Sequence, residues 1–170
     1  MLLKSKNIAY LGVLLALNQM FIIISSIIKT NTLLLFGIAA LIVGIVIVEF
    51  GVKSGIVFYI ASCILGFLLT TDKIEIITYI SLFGLYSIVK YAIEKLVYNN
   101  RKNVFVELLL KFIFFNAVAI TLYFVLKQFV MIKLFWWVIV LGEVGFLIYD
   151  YAFSVFINYY IMRIKPKIKR

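Results

Sequence analysis

Two acids stand inside the longest apolar stretch of this chain. Glu143 and Asp150 interrupt the run from Leu134 to Ile161, which closes on the basic tail Arg163 to Arg170. Seven helical steps of about 100° return the second acid to the face of the first, and Ser154 and Asn158 continue that stripe. An ionisable group on a bilayer-crossing helix is costly, so such a stripe marks a binding site, an ion path or a paired structural contact. Other apolar runs carry polar groups too, and depth at about 1.5 Å per residue sorts them into two layers. A middle layer holds Asn18, Gln19, Asn116 and Glu143, with Tyr79 nearer the outer surface. An inner layer holds Glu49, Lys90, Lys111 and Asp150.

The two layers imply different chemistry. Two acids and two bases make the inner layer a charge-compensated structural network, with a proton or ion path as the alternative. Glu143 has no base near it in the middle layer. Asn18, Tyr79, Asn116, Trp137 and Glu143 therefore form a candidate substrate-binding set for a cationic or hydrogen-bonding small molecule arriving from outside. The same residues could instead be a protonated acid and amides satisfied within the core, since burial alone favours a neutral carboxyl.

Several chemistries have no motif to carry them. There is no Gly-x-x-x-x-Gly-Lys-Ser/Thr loop for nucleotide phosphates, no Gly-x-Ser-x-Gly and no His-Glu-x-x-His. The chain has no histidine and a single cysteine, Cys63, so neither a thiol pair nor a zinc cluster can form within it. No enzyme activity, metal or cofactor is expected.

The elements that must position these groups are apolar helices. Apolar residues make up 66% of the 170, aromatics 17%, and the mean hydropathy is +1.18. These values exceed those of soluble domains, so the fold class is all-α: a polytopic membrane protein with six spans in one domain, 1–170. The expected spans are 8–28, 33–48, 56–70, 76–98, 104–126 and 134–161. The first is too long for a signal-peptide core and has no small-residue cleavage site at its end. In it Gly12 and Ala16 form a small-xxx-small pair suited to a partner interface or to internal packing. Gly37, Ala40 and Gly44 line one face of the second run, and Ser62 and Gly66 one face of the third. A tight turn over Gly51–Gly55 makes those two runs a closely packed hairpin. Tyr79, Tyr86, Lys90 and Glu94 share a face of the fourth, with Lys90 and Glu94 spaced as an i,i+4 ion pair. Glu107 and Lys111 repeat that spacing in the fifth.

Charge orients the spans. The net charge is +10, but the basic residues flank apolar runs, where orientation and lipid headgroups explain them and nucleic acid is not needed. One side of the six crossings carries Lys4, Lys6, Lys53, Lys95, Arg101, Lys102, Arg163, Lys165, Lys167, Lys169 and Arg170. The other carries Lys29, Lys73, Lys127 and Lys133. Both termini are therefore expected in the cytoplasm, with the protein in the cell membrane.

Phe83-Gly84-Leu85-Tyr86-Ser87-Ile88-Val89-Lys90, Phe115-Asn116 and Tyr149-Asp150 resemble motifs of a group of uncharacterised six-helix membrane proteins of Gram-positive, chiefly clostridial, bacteria. That group often has Phe-Gly-Tyr-Tyr-Pro before the lysine, so Leu85 and Ser87 depart from the pattern and remove the proline kink. More distantly, the size, the topology and the small residues of the first span are similar to S components of energy-coupling factor vitamin importers. That resemblance implies an S-component-like bundle that captures a micronutrient. It also implies partners: a transmembrane T component docked at Gly12 and Ala16, and two cytoplasmic ABC-type ATPases. Two readings without an importer stay open: a small membrane scaffold or assembly protein with no ligand, and an ion or proton pathway through Glu143 and Asp150.

Overall fold

Helix accounts for nearly all of residues 5–99, 103–128 and 135–168, which the computed structural model describes, and no strand occurs among them. Six helical stretches are long and apolar enough to cross a membrane: Ser5–Ile27, Lys29–Phe50, Val52–Leu69, Lys73–Tyr98, Val104–Leu126 and Trp136–Lys167. Helices α1 (Ser5–Ile27), α2 (Thr32–Phe50) and α3 (Val52–Leu69) are followed by α4 (Lys73–Thr78), a wider π-helical stretch Tyr79–Gly84, and α5 (Leu85–Asn99). Then come α6 (Val104–Leu126), α7 (Trp136–Tyr159), a second π-helical stretch Tyr160–Ile164 and the short α8 (Lys165–Ile168). Leu134, Lys133, the middle of the Asn99–Asn103 loop and the last two residues of the tail lie outside the described residues.

Several boundaries differ from those expected. The turn between α2 and α3 is one residue, Gly51, at φ 84°, a left-handed conformation that a side chain disfavours. Lys53, Ser54 and Gly55 are already helical, and Glu49 lies inside α2 instead of closing it. The gain lengthens both helices, so α2, with 19 residues, reaches about 28 Å. Gly55 lies directly against Ile47, where a side chain would collide, so α2 and α3 do form the close hairpin.

The fourth run is not one regular helix. In its π-helical stretch the Leu85 amide donates to the Ile80 carbonyl, one residue further back than in an α-helix. Tyr59 Oη also donates to that carbonyl, at 2.9 Å, and its ring lies where a Gly84 Cβ would come within 2.7 Å of it. At the start of this run the Asp72 carboxylate caps α4, accepting from the amides of Ile74 and Glu75. The second π-helical stretch ends two residues before Pro166. A wider turn there relieves the clash of the proline ring with the carbonyl four residues back.

By its contacts the chain divides into two units, Met1–Ala92 and Ile93–Arg170. In the first, Ile22, Phe36, Ala39, Ile76 and Tyr79 form a solvent-free core. Gly37, Ala40 and Gly44 are buried, as their spacing predicts, and they let side chains of neighbouring helices reach α2 backbone: Ser87 Oγ donates to the Ala40 carbonyl at 2.9 Å. In the second unit α6 and α7 run antiparallel, with Phe115 stacked on Phe146 at 4.3 Å between ring centroids.

Candidate functional site

The first unit closes its polar groups around Asn18, which is fully buried on α1. Its amide nitrogen donates to the Ala39 carbonyl at 2.8 Å and to Tyr79 Oη at 3.0 Å. Its oxygen accepts from Ser62 Oγ at 2.5 Å and from Gln19 Nε2 at 3.2 Å. Gln19 Nε2 also donates to the Ser62 carbonyl at 3.0 Å, and Tyr79 Oη lies 3.2 Å from Ser62 Oγ. Asn18 and Tyr79 thus meet, and they are bound to protein. Ser62, read from sequence only as a small residue, is the hub of the cluster. Its spacing from Gly66 revealed a close approach of helices but not which hydroxyl acceptor and donor that approach would create.

A second cluster forms on Lys111, whose side chain is 3% exposed. Its ammonium lies 2.9 Å from Glu94 Oε1, 2.6 Å from Glu107 Oε1 and 3.3 Å from Asp150 Oδ1. The Glu107 pair has the expected i,i+4 spacing. Glu94 reaches Lys111 from α5. Three carboxylates from α5, α6 and α7 thereby converge on one cation, which ties those helices together. The four-residue charge network is divided by unit, for Lys111 and Asp150 belong to the second unit, Glu49 and Lys90 to the first. Glu49 is half-buried on α2, and Lys90 is buried with its ammonium 6.0 Å from the Tyr86 ring centroid.

The remaining candidates lie in the second unit. Asn116 donates to the Phe112 carbonyl of its own helix at 3.1 Å. Glu143 is half-buried, and its Oε2 is shielded with no hydrogen-bond partner among the described residues. No hydrogen bond joins it to Asn116 among those residues. Phe146, one turn from Glu143 towards Asp150 along α7, carries the stack on Phe115. Trp137 is half exposed and stacks on Phe135 with centroids 6.3 Å apart. In the first unit Gly12 and Ala16 are exposed on α1, and no atom lies within 4 Å of where a Gly12 Cβ would stand.

At the end of the first unit opposite Gly51, the α1–α2 and α3–α4 connections are clamped together. Lys29 Nζ lies 3.1 Å from Asp72 Oδ2 and 2.7 Å from Glu75 Oε1. The hydrogen bond from Lys29 holds the Asp72 carboxyl below its ordinary range, and its own cap on the Glu75 and Ile74 amides adds to that. This meeting of the first and third connections is what strict up-and-down alternation requires. No family model, curated protein or solved structure matches the chain.

Proposed function

We propose that the chain is a multi-pass membrane protein that captures a small molecule on the outer side of the cell membrane and passes it to a separate energy-coupled machine. The observation that carries this reading is the Glu143 carboxylate on α7, whose Oε2 is shielded and unpaired among the described residues. An unmet acceptor at that depth suits a cationic or hydrogen-bond-donating solute. Two features support the division of labour. The sequence holds no nucleotide-binding loop to drive transport. The open, small-residue face at Gly12 and Ala16 leaves room for a helix of a transmembrane T component, with two ABC-type ATPases behind it, as the resemblance to S components implies.

The test is copurification and uptake. The tagged protein, gently extracted from its own membrane, should bring down a transmembrane subunit and ATPases, and Gly12→Leu or Ala16→Leu should release them. Both positions are exposed, so neither substitution disturbs the fold. Glu143→Gln should abolish accumulation of the nutrient while leaving the complex assembled. Uptake of every candidate nutrient by Glu143→Gln at the wild-type rate would refute the site.

A scaffold without ligand is the second reading, favoured by the Asn18 cluster, where amide and hydroxyl hydrogens are spent within the protein. Thermal stabilisation in detergent by a nutrient that the cells require separates the two, because a ligand specific to the folded form raises its melting temperature.

A further inference from the structure

The hydrogens of the Asn18 cluster can be followed one by one. Asn18 Nδ2 faces the Ala39 carbonyl and Gln19 Nε2 faces the Ser62 carbonyl. Both carbonyls only accept, so the orientation of each side-chain amide is set: turning either one would bring two acceptors together. Ser62 has one hydroxyl hydrogen, and the 2.5 Å approach assigns it to Asn18 Oδ1. Tyr79 must then donate its own hydrogen to Ser62 Oγ at 3.2 Å, while its oxygen accepts from Asn18 at 3.0 Å. The second hydrogen of Gln19 Nε2 falls on Asn18 Oδ1 or Ser62 Oγ, each 3.2 Å away. Every hydrogen on the four side chains is now committed. Gln19 Oε1 is left over, an acceptor on a side chain 5% exposed, with no partner among the described residues.

We infer that Gln19 Oε1 is a binding point for an external hydrogen-bond donor, an O–H or N–H group held between α1 and α3 beside Gly66. The cluster has no hydrogen to offer, so a carboxylate or phosphate finds nothing there, whereas a hydroxyl, an amide or a water completes it. A Cβ on Gly66 would stand 3.7 Å from Gln19 Oε1 and 2.7 Å from Ile76 Cδ1, so a donor beside Gly66 displaces the end of the flexible Ile76 side chain. Asn18, Ser62 and Tyr79 are positioning residues, holding the Gln19 amide with its oxygen turned outward from the cluster. The site does not involve Glu143 and does not depend on the capture reading.

Two variants and one map test it. Ile76→Val removes the methyl that would collide, and on that background Gly66→Ser sets a hydroxyl within reach of Oε1, while Gly66→Ala fills the same space without a donor. The serine variant should melt several degrees above the alanine variant in detergent, because only alanine expels the donor without replacing it. Equal melting temperatures would overturn the inference. An experimental map of the wild-type protein, purified without polyols, should show a feature about 3 Å from Oε1. A single peak identifies the donor as water and an extended feature as a solute. Purely apolar surroundings with no feature would overturn the inference as well.

Discussion

Asn18 and Asn116 are the same side chain near the middle of two helices, and their surroundings give them different weight. Asn18 bonds residues of α2, α3 and the π-helical stretch, whereas Asn116 bonds the turn preceding it on its own helix. Removing Asn18 strands Tyr79 and Ser62 hydrogen-bonding groups and the Ala39 carbonyl, each costing about 1–3 kcal/mol when unsatisfied, partly recovered by relaxation. Asn18→Ala should therefore lower stability by about 2 kcal/mol or more, and Asn116→Ala by less than about 1 kcal/mol, in denaturation of the detergent-solubilised protein. Equal losses would mean that the cluster bears no special load. This difference was only half legible. A polar residue among apolar ones announces that it needs partners, so Asn18 and Tyr79 could be picked out. Whether the partner is another helix or the residue's own backbone depends on packing that spacing does not encode, and so Ser62 was read as merely small.

Local patterns located the helices well where nothing but length and hydropathy decides them, as in α6, whose limits coincide with the expected 104–126. They failed at two kinds of place. Helix propensity and turn-formers gave a five-residue turn at Gly51–Gly55, yet one glycine at positive φ reverses the chain and lets the rest extend α3. The π-helical stretch at Tyr79–Gly84 depends on a hydroxyl from α3 and on room beside Gly84, neither of which is local. Between elements, the Lys29–Asp72–Glu75 clamp fastens two connections, and its strength should follow pH. With Asp72 depressed in the folded state by Lys29, its contribution is fully present above the unfolded value of about 4 and is lost as the pH falls through the lowered one. Melting curves of the wild type between pH 6 and 2 should show an acid limb that Lys29→Ala flattens. Parallel curves for the two proteins would show the clamp to be inert, the usual fate of an exposed ion pair.

At the scale of the whole chain, the arrangement rests on counting crossings and on where the charges fall. Two features of the first unit agree with alternation: Gly51 reverses the chain at one end, and Lys29 meets Asp72 at the other. On the proposed reading six crossings would return the C-terminus to the side of the N-terminus, and eleven basic residues against four would make that side cytoplasmic. The same counting could not foresee that contacts divide the helices into two units, because hydropathy marks each apolar run alike whether it packs against many neighbours or few. Orientation can be read directly by thiol labelling after Cys63→Ser removes the single native thiol. Thr30→Cys, at an exposed position beside the clamp, should react with a membrane-impermeant maleimide on intact cells. Lys53→Cys and Lys167→Cys, both exposed, should react only after the cells are opened. The reverse pattern would invert the protein and turn Gln19 and Glu143 away from any solute arriving from outside. Labelling of Lys53→Cys and Lys167→Cys on opposite sides would mean that one of the apolar helices between them does not cross, and the capture reading would fall with it.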